Sequence, residues 1–315
     1  LRRPEFWTKN SVLARALSPL GRVTAAVTAR RVARPGFAPG IPVICAGNAG
    51  VGGSGKTIIV LDLLARLPGR PFALTRGYGG RLAGPVLAGP LHTARDVGDE
   101  ALLLAAAAPV IVARDRAAGA RLALVEGASA IVMDDGLQNP DLVKTLSLLV
   151  IDGGYGFGNG RLLPAGPLRE PVAAAAGRCQ AAVLIGPDIS GAVTLLPANL
   201  PVLQARLAPS CAENLNGVRV AAFAGIGRPA KFFDSVRSLG AELAAAVPFP
   251  DHHFYSGADA RRLLGLADGL GARLVTTAKD FVKLPEALRA QSAVVTVRLV
   301  WEDEARLQKL LPPAD

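Results

Sequence analysis

Eight consecutive residues, Gly50-Val51-Gly52-Gly53-Ser54-Gly55-Lys56-Thr57, match the pattern G-x-x-x-x-G-K-[ST]. Glycines at these positions let successive backbone N–H groups turn inward around phosphate oxygens, and a helix that follows adds the positive end of its dipole. Lys56 is then placed to reach the β- and γ-phosphates of a nucleotide, and the Thr57 hydroxyl to ligate Mg²⁺. The run follows the apolar stretch 41–46 and precedes a helical stretch. That strand–loop–helix context makes it a P-loop and not merely a Gly-rich turn.

Further along, Ile131-Val132-Met133-Asp134-Asp135 is an apolar run ending in two carboxylates, where an acid beside a P-loop holds Mg²⁺. Neighbours on a strand point to opposite faces, so Asp134 is expected to face the metal, and the role of Asp135 stays open. Asp99-Glu100 open a helix after Val97-Gly98, as a helix cap or as functional carboxylates. Asp251-His252-His253 holds two of the three histidines. If a cleft brings these two segments together, a carboxylate and an imidazole pair as a base and its orienter. Two Gly/Pro loops carry arginines, Arg76-Gly77-Tyr78-Gly79-Gly80 and the stretch 156–161 that leads into 163–171. Their arginines suit bidentate phosphate contacts.

The elements that must position these groups alternate. Strand-like runs fall at 42–46, 72–75, 110–113, 130–133, 148–151 and 182–185, with helical stretches such as 57–67, 99–107 and 117–126 between them. A second series follows: 219–224, a helix at 231–239, then 274–277 and 294–299. Alternation of this kind predicts an α/β fold with a parallel sheet covered on both faces. With 315 residues the chain exceeds the ~250–300 at which single cores divide. The expected organisation is an arm at 1–40, a P-loop parallel-sheet domain at 41–207, a polar junction at 208–217 and a smaller α/β domain at 218–315.

Half the residues are hydrophobic and 19% charged, which excludes a disordered chain. Mean hydropathy is +0.35, yet the longest apolar stretch, 101–113, has 13 residues and contains Pro109. A spanning helix needs ~20, so no transmembrane helix is expected. Cys45, Cys179 and Cys211 are too scattered for a disulfide framework or a zinc site and read as small core residues in a reducing compartment.

Most of the net charge of +10 sits in the arm, where Arg2, Arg3, Lys9, Arg15, Arg22, Arg30, Arg31 and Arg34 face one acid, Glu5. Such an arm suits an anionic partner, nucleic acid or a membrane surface. Leu13, Leu17, Leu20, Val23 and Val27 recur at helical spacing, opposite Arg15 and Arg22, with Phe6 and Trp7 near the start. That pattern favours a helix lying in a bilayer interface, interrupted at Ser18-Pro19 into two short helices. The competing reading is a helix whose apolar stripe packs on its own protein. No apolar core and cleavage site of a secretory signal follows the charges, and the opening Leu1 leaves the native start open.

The motifs run together through the chain: Pro4-Glu5-Phe6-Trp7; Gly47-Asn48 with the P-loop; Thr75-Arg76-Gly77-Tyr78-Gly79; Val97-Gly98-Asp99-Glu100; and Asp134-Asp135-Gly136-Leu137-Gln138. They continue with Leu163-Pro164-Ala165-Gly166-Pro167-Leu168-Arg169-Glu170-Pro171; Phe223-Ala224-Gly225-Ile226-Gly227-Arg228-Pro229; Asp251-His252 with Tyr255; and Thr276-Thr277-Ala278-Lys279-Asp280. In this joint pattern the chain resembles the tetraacyldisaccharide 4'-kinases of lipid A biosynthesis over essentially its whole length.

The resemblance implies transfer of the γ-phosphate of ATP, with Mg²⁺, to the 4'-hydroxyl of tetraacyldisaccharide 1-phosphate, giving lipid IVA. It implies a P-loop domain facing a smaller Rossmann-like domain, and a peripheral location on the cytoplasmic face of the inner membrane through the basic arm. Neither nucleic acid nor an obligate protein partner is implied. By position, Asp99 is the implied base, with His252 its partner and Lys56 on the phosphates. Thr57, Asp134 and Glu100 make the metal site, and Asn48, Arg76, Tyr78 and Arg169 meet the lipid head group. Family members often carry Pro where this chain has Ile58 and Ala101, which touches local backbone and no reactive group. The rival readings are a nucleotide switch whose arm binds nucleic acid, and a P-loop kinase of another sugar or lipid.

Overall fold

The computed structural model describes residues 4–313, so Arg2 and Arg3 of the basic arm lie outside the described residues. The apolar runs form β1 (Val43–Gly47), β2 (Pro71–Thr75), β3 (Val86–Leu87), β4 (Val110–Val112), β5 (Ala130–Asp134), β6 (Leu146–Asp152) and β7 (Ala181–Ile185). They continue as β8 (Val202–Cys211), β9 (Arg219–Ala224), β10 (Glu242–Pro248), β11 (Arg273–Thr277) and β12 (Ser292–Trp301). The helices are α1 (Val12–Val32), α2 (Lys56–Arg66), α3 (Ala94–Val97), α4 (Asp99–Ala105), α5 (Arg116–Val125), α6 (Val172–Ala176), α7 (Pro229–Ser238), α8 (Gly257–Leu270), α9 (Ala278–Phe281), α10 (Glu286–Ala290) and α11 (Glu304–Gln308).

All twelve strands lie in one sheet, ordered β10-β9-β11-β12-β8-β7-β6-β1-β5-β2-β4-β3. Strands β1, β5, β6 and β7 are buried on both faces, which is why they read as unbroken apolar runs. Alternation along each strand feeds two cores. Ile44, Val132 and Leu148 pack with Ile59, Leu63 and Leu104 on one face, while Val43, Met133 and Leu149 pack with Phe72 and Ile111 on the other. Beyond β12, Val220, Phe232 and Val275 form a third core and Phe223, Leu263 and Leu274 a fourth.

The expected parallel sheet is mixed at two places: β3 pairs antiparallel with β4, and β12 antiparallel with β8, from Val295 opposite Cys211 to Trp301 opposite Ala205. Residues 208–211 of the polar stretch are therefore strand. From Leu299 onward the chain rejoins the first core through Trp301, Leu307 and Leu311; the Trp301 Nε1–H donates to Asp62 at 2.9 Å, and Arg66 reaches Glu304 at 2.5 Å.

Pro19 does not divide the N-terminal helix: α1 is one 21-residue helix with the proline inside it. Pro19 leaves the Arg15 carbonyl without its usual donor, and the helix is held instead by side chains. The Ser18 hydroxyl donates to Ala14 O at 2.8 Å, and those of Thr24 and Thr28 donate to Leu163 O and Arg169 O at 2.7 and 3.0 Å. Arg161 grips Ser18 Oγ and Asn10. At Gly21 an added Cβ would lie 2.9 Å from Leu162 Cβ, so only a small residue fits the contact. The inward face of α1 is thus small and polar. Of the apolar stripe, Leu13, Leu20, Val23 and Val27 are each more than half exposed and only Leu17 is partly buried, so most of the stripe does not pack on its own protein. No helix among the described residues is long and apolar enough to cross a membrane.

Candidate active site

β1 delivers the chain into the loop 48–55, and α2 starts at Lys56. Gly52 and Gly55 hold φ of 111° and 89°, values that favour glycine and turn the backbone inward. Gly55 caps α2 with no side-chain hydrogen bond, and its carbonyl accepts only from Ile58 and Ile59, so the N–H groups of Lys56 and Thr57 are left for an anion. The loop is buttressed by the stretch 163–171: the Val51 N–H donates to Pro167 O at 2.9 Å and the Arg169 N–H to Ala49 O at 2.8 Å. Lys56 Nζ curls back onto Asn48 Oδ1 at 3.2 Å and Gly52 O at 3.4 Å. Asn48, buried, thus holds the lysine in the cradle.

The adjacent acids at the end of β5 diverge. Asp134 continues the strand and its Oδ2 accepts the Thr57 hydroxyl at 3.0 Å. Asp135 sits at φ 54° and turns to Arg169, with bonds of 3.0 and 3.1 Å, and to Lys56 Nζ at 3.6 Å. Their electrostatics differ accordingly. Burial and the nearby Glu100 carboxylate push the Asp134 carboxyl up to about 7. Burial acts on Asp135 as well, but Lys56 and Arg169 outweigh it and hold that carboxyl below its ordinary value.

Thr57, Asp134 and Glu100 are an all-oxygen donor set of the kind Mg²⁺ takes, sharing the rest of its shell with water and phosphate. The buried, under-compensated Asp134 carboxyl fits a cation, and the buried Ser54 hydroxyl, which has no hydrogen-bond partner among the described residues, fits a phosphate oxygen.

Asp99 opens α4 after Gly98 (φ 87°), and His252 faces it from a left-handed position (φ 59°) in the turn after β10. His252 Nδ1 lies 2.9 Å from Asp99 Oδ2 and 3.0 Å from Oδ1. Around them gather two lysines whose sequence context carried no assigned role. Lys279 Nζ is 3.5 Å from both His252 Nε2 and Glu100 Oε1 and 3.9 Å from Asp99 Oδ2. Lys283, its side chain buried, sits 3.3 Å from Asp99 and 3.1 Å from Asp280. Burial of Asp99 favours its neutral form, but the His252 hydrogen bond and the charges of Lys279 and Lys283 more than offset it and hold the carboxyl down at about 2. Since an ionised carboxylate has no proton to give, His252 Nδ1 carries the hydrogen and donates. His253 points elsewhere, to Asp259 at 3.2 Å and onto the Phe249 ring.

The remaining candidates separate. The Tyr78 ring is exposed and stands 5.4 Å from the His252 ring, and Arg76 is exposed at the end of β2. Of the loop arginines expected on phosphate, Arg161 is tied to α1, and Arg169 to Asp135 and to Gln138 Oε1 at 3.0 Å. A second cationic pair comes instead from the start of α7: Arg228 contacts Asp152 and donates to Gly53 O at 3.3 Å, and Lys231 lies 3.1 Å from Asp152. Arg228 and Lys279 left a trace in the sequence in the segments 223–229 and 276–280, whereas Lys231 stood only at the start of an expected helix.

The family model described as tetraacyldisaccharide-1-P 4'-kinase matches residues 13–313. The tetraacyldisaccharide 4'-kinase of Gluconacetobacter diazotrophicus is 53% identical, over 98% of this chain and 96% of its own. That of Rhodospirillum centenum is 51% identical, over 99% and 96%. A crystal structure of the "apo" form of LpxK from Aquifex aeolicus in complex with ATP superposes with a TM-score of 0.77 at 28% identity, covering 95% of this chain and 98% of that one.

Proposed function

The chain belongs to the tetraacyldisaccharide-1-P 4'-kinase family, and from that premise we propose how its cleft performs the reaction. The protein is an ATP-dependent kinase of lipid A biosynthesis that phosphorylates the 4'-hydroxyl of the acylated disaccharide 1-phosphate. The P-loop N–H groups and Lys56 hold the triphosphate and neutralise charge that builds during transfer. The bond from the γ-phosphorus to the β,γ-bridging oxygen breaks as the sugar oxygen bonds to that phosphorus. The hydroxyl proton leaves to the Asp99 carboxylate, which His252 orients from across the cleft. Thr57 and Asp134, with Glu100, would hold Mg²⁺, which when bound would supply positive charge against the charge that builds during transfer. Arg76 and Tyr78, both exposed and the latter beside His252, are proposed to meet the head group, with Asn48 and Arg169 as further contacts.

The arm belongs to the same reading. An exposed apolar stripe with exposed Arg15 and Arg22 on the opposite face suits insertion into an anionic leaflet, so the acyl chains stay in the inner membrane's cytoplasmic face while the sugar enters the cleft. The units expected at 41–207 and 218–315 are proposed to open and close around it.

The observation that carries this reading is the meeting of Asp99 and His252 across the cleft that the P-loop lines. Radiolabelled ATP supplied with tetraacyldisaccharide 1-phosphate tests it: label is expected in the lipid. Label in inorganic phosphate alone would make the protein a switch, and equal use of the de-acylated head group would make it a kinase of another sugar.

A further inference from the structure

We propose that Arg228 and Lys231 are phosphate ligands for ATP, supplied to the P-loop from the opposite side of the cleft, and that Asp152 is their resting counter-ion. The inference rests on the reading that the P-loop holds the triphosphate, and it adds two groups to that site.

Asp152 ends β6, is buried, and lines the same depression as residues 48–54, Tyr155 and Phe157. Arg228 bonds it from the residue before α7, and Lys231, in the first turn of α7, bonds both of its oxygens, at 3.1 and 3.2 Å. The Arg228 guanidinium also donates to Gly53 O at 3.3 Å, so it already stands over the phosphate cradle. One carboxylate facing two cations leaves a positive charge over, beside the further charge of Lys56. A tie that merely joined two surfaces would need one cation. Two, on partly exposed and flexible side chains, match an incoming polyanion.

Arg228 is suited to grip two oxygens of one phosphate and Lys231 to follow as a point charge. Exchanging Asp152 for phosphate replaces one anionic partner with another, so no charge is stranded and no bond is made or broken. Because both groups lie beyond β8 in the chain, the triphosphate would be fully ligated only with the cleft shut as it is here.

The test measures binding of ATP, ADP and AMP, each with magnesium, to the full chain and to Arg228→Gln, Lys231→Gln and Asp152→Asn. The expectation is that Arg228→Gln and Lys231→Gln each weaken ATP about tenfold more than AMP, as losing a charge-assisted contact does. Asp152→Asn, which removes the competing anion, is expected to leave ATP affinity unchanged or tighter. Equal losses for ATP and AMP, or an Asp152→Asn loss as large as that of Arg228→Gln, would overturn the assignment and leave a structural tie. Lys56→Ala serves as the separate control: unaltered ATP affinity in that variant would remove the P-loop reading itself.

Discussion

His252 Nδ1 donates to Asp99 Oδ2 over 2.9 Å although 153 residues separate the two in the chain. The pair is assembled by the fold, with one member at the start of α4 and the other in the turn after β10. Asp99→Ala is expected to lower kcat by about 10²–10⁴-fold and His252→Ala by less, with the double variant close to Asp99→Ala alone, because the two act as a unit. Steady-state kinetics at saturating lipid and ATP decide it. A larger loss for His252→Ala would transfer the proton-accepting role to the imidazole.

Acid stability follows from the same carboxyl. Its pKa of about 2 lies below the ordinary ~3.9 of an unfolded aspartate. Asp99 therefore contributes stability that is fully present above about pH 4 and lost as pH falls towards 2, of order 2 kcal/mol for this shift. Urea unfolding at pH 3 and pH 6 should show a smaller pH difference for Asp99→Asn than for the unaltered chain. Parallel pH dependences would mean the lysines and His252 do not act on Asp99 as their distances imply.

At Asp134 the sign reverses. A carboxyl pushed up to about 7 costs stability once ionised, and the cost grows as pH rises from about 4 through 7. Asp134→Asn keeps an acceptor for the Thr57 hydroxyl and removes that charge. Without nucleotide it is expected to melt a few degrees higher at pH 8 and by a smaller margin at pH 5. Magnesium-dependent turnover is expected to fall at least about 10²-fold, as when charge stabilisation of the transition state is lost. A variant both less stable and fully active would contradict the assignment.

The two faces of α1 make opposite demands. The triple change Leu20→Asp, Val23→Asp, Val27→Asp alters exposed positions, so it should release the protein from anionic vesicles while leaving the melting midpoint nearly unchanged. Gly21→Leu should do the reverse, destabilising the fold by about 1–3 kcal/mol through collision with Leu162. Co-sedimentation and thermal melting read the two effects separately. Undiminished vesicle binding by the triple variant would end the interfacial role of the stripe.

The first half of the sheet was legible because parallel strands buried on both faces announce themselves as short apolar runs, and β1, β2, β5 and β7 fall within a residue or so of where the pattern sets them. β8 and β10 were not: β8 carries Arg206, Pro209 and Ser210, and β10 is a partly exposed, alanine-rich edge strand. Helix α8 holds Gly257, Gly265 and Gly269, which argue against a helix until its capping box, Ser256 with Asp259, is recognised. Pairing of β12 with β8 joins residues more than eighty apart and has no local signature.

At the site, the P-loop and the acids of β5 could be read from adjacent residues. The partners of Asp99 could not, because Lys279 and Lys283 acquire meaning only when the end of β11 meets the start of α4. The side-chain partners of Arg161 and Arg169 were not legible for a related reason: an arginine in a Gly/Pro loop suits a phosphate or a neighbouring side chain equally well until the neighbour is seen.

Because the chain leaves the first half at Cys211 and comes back opposite that residue at Val295, everything between is a cassette inserted into a ribbon. Cutting it out would leave two strand ends already side by side, ready for a hairpin turn, with Trp301 and Leu307 still plugging the remaining core. Swapping the cassette between relatives would exchange His252, Lys279 and Arg228 in a single step and leave the P-loop with Lys56 untouched, so the part of the enzyme that completes the cleft is the part most easily grafted.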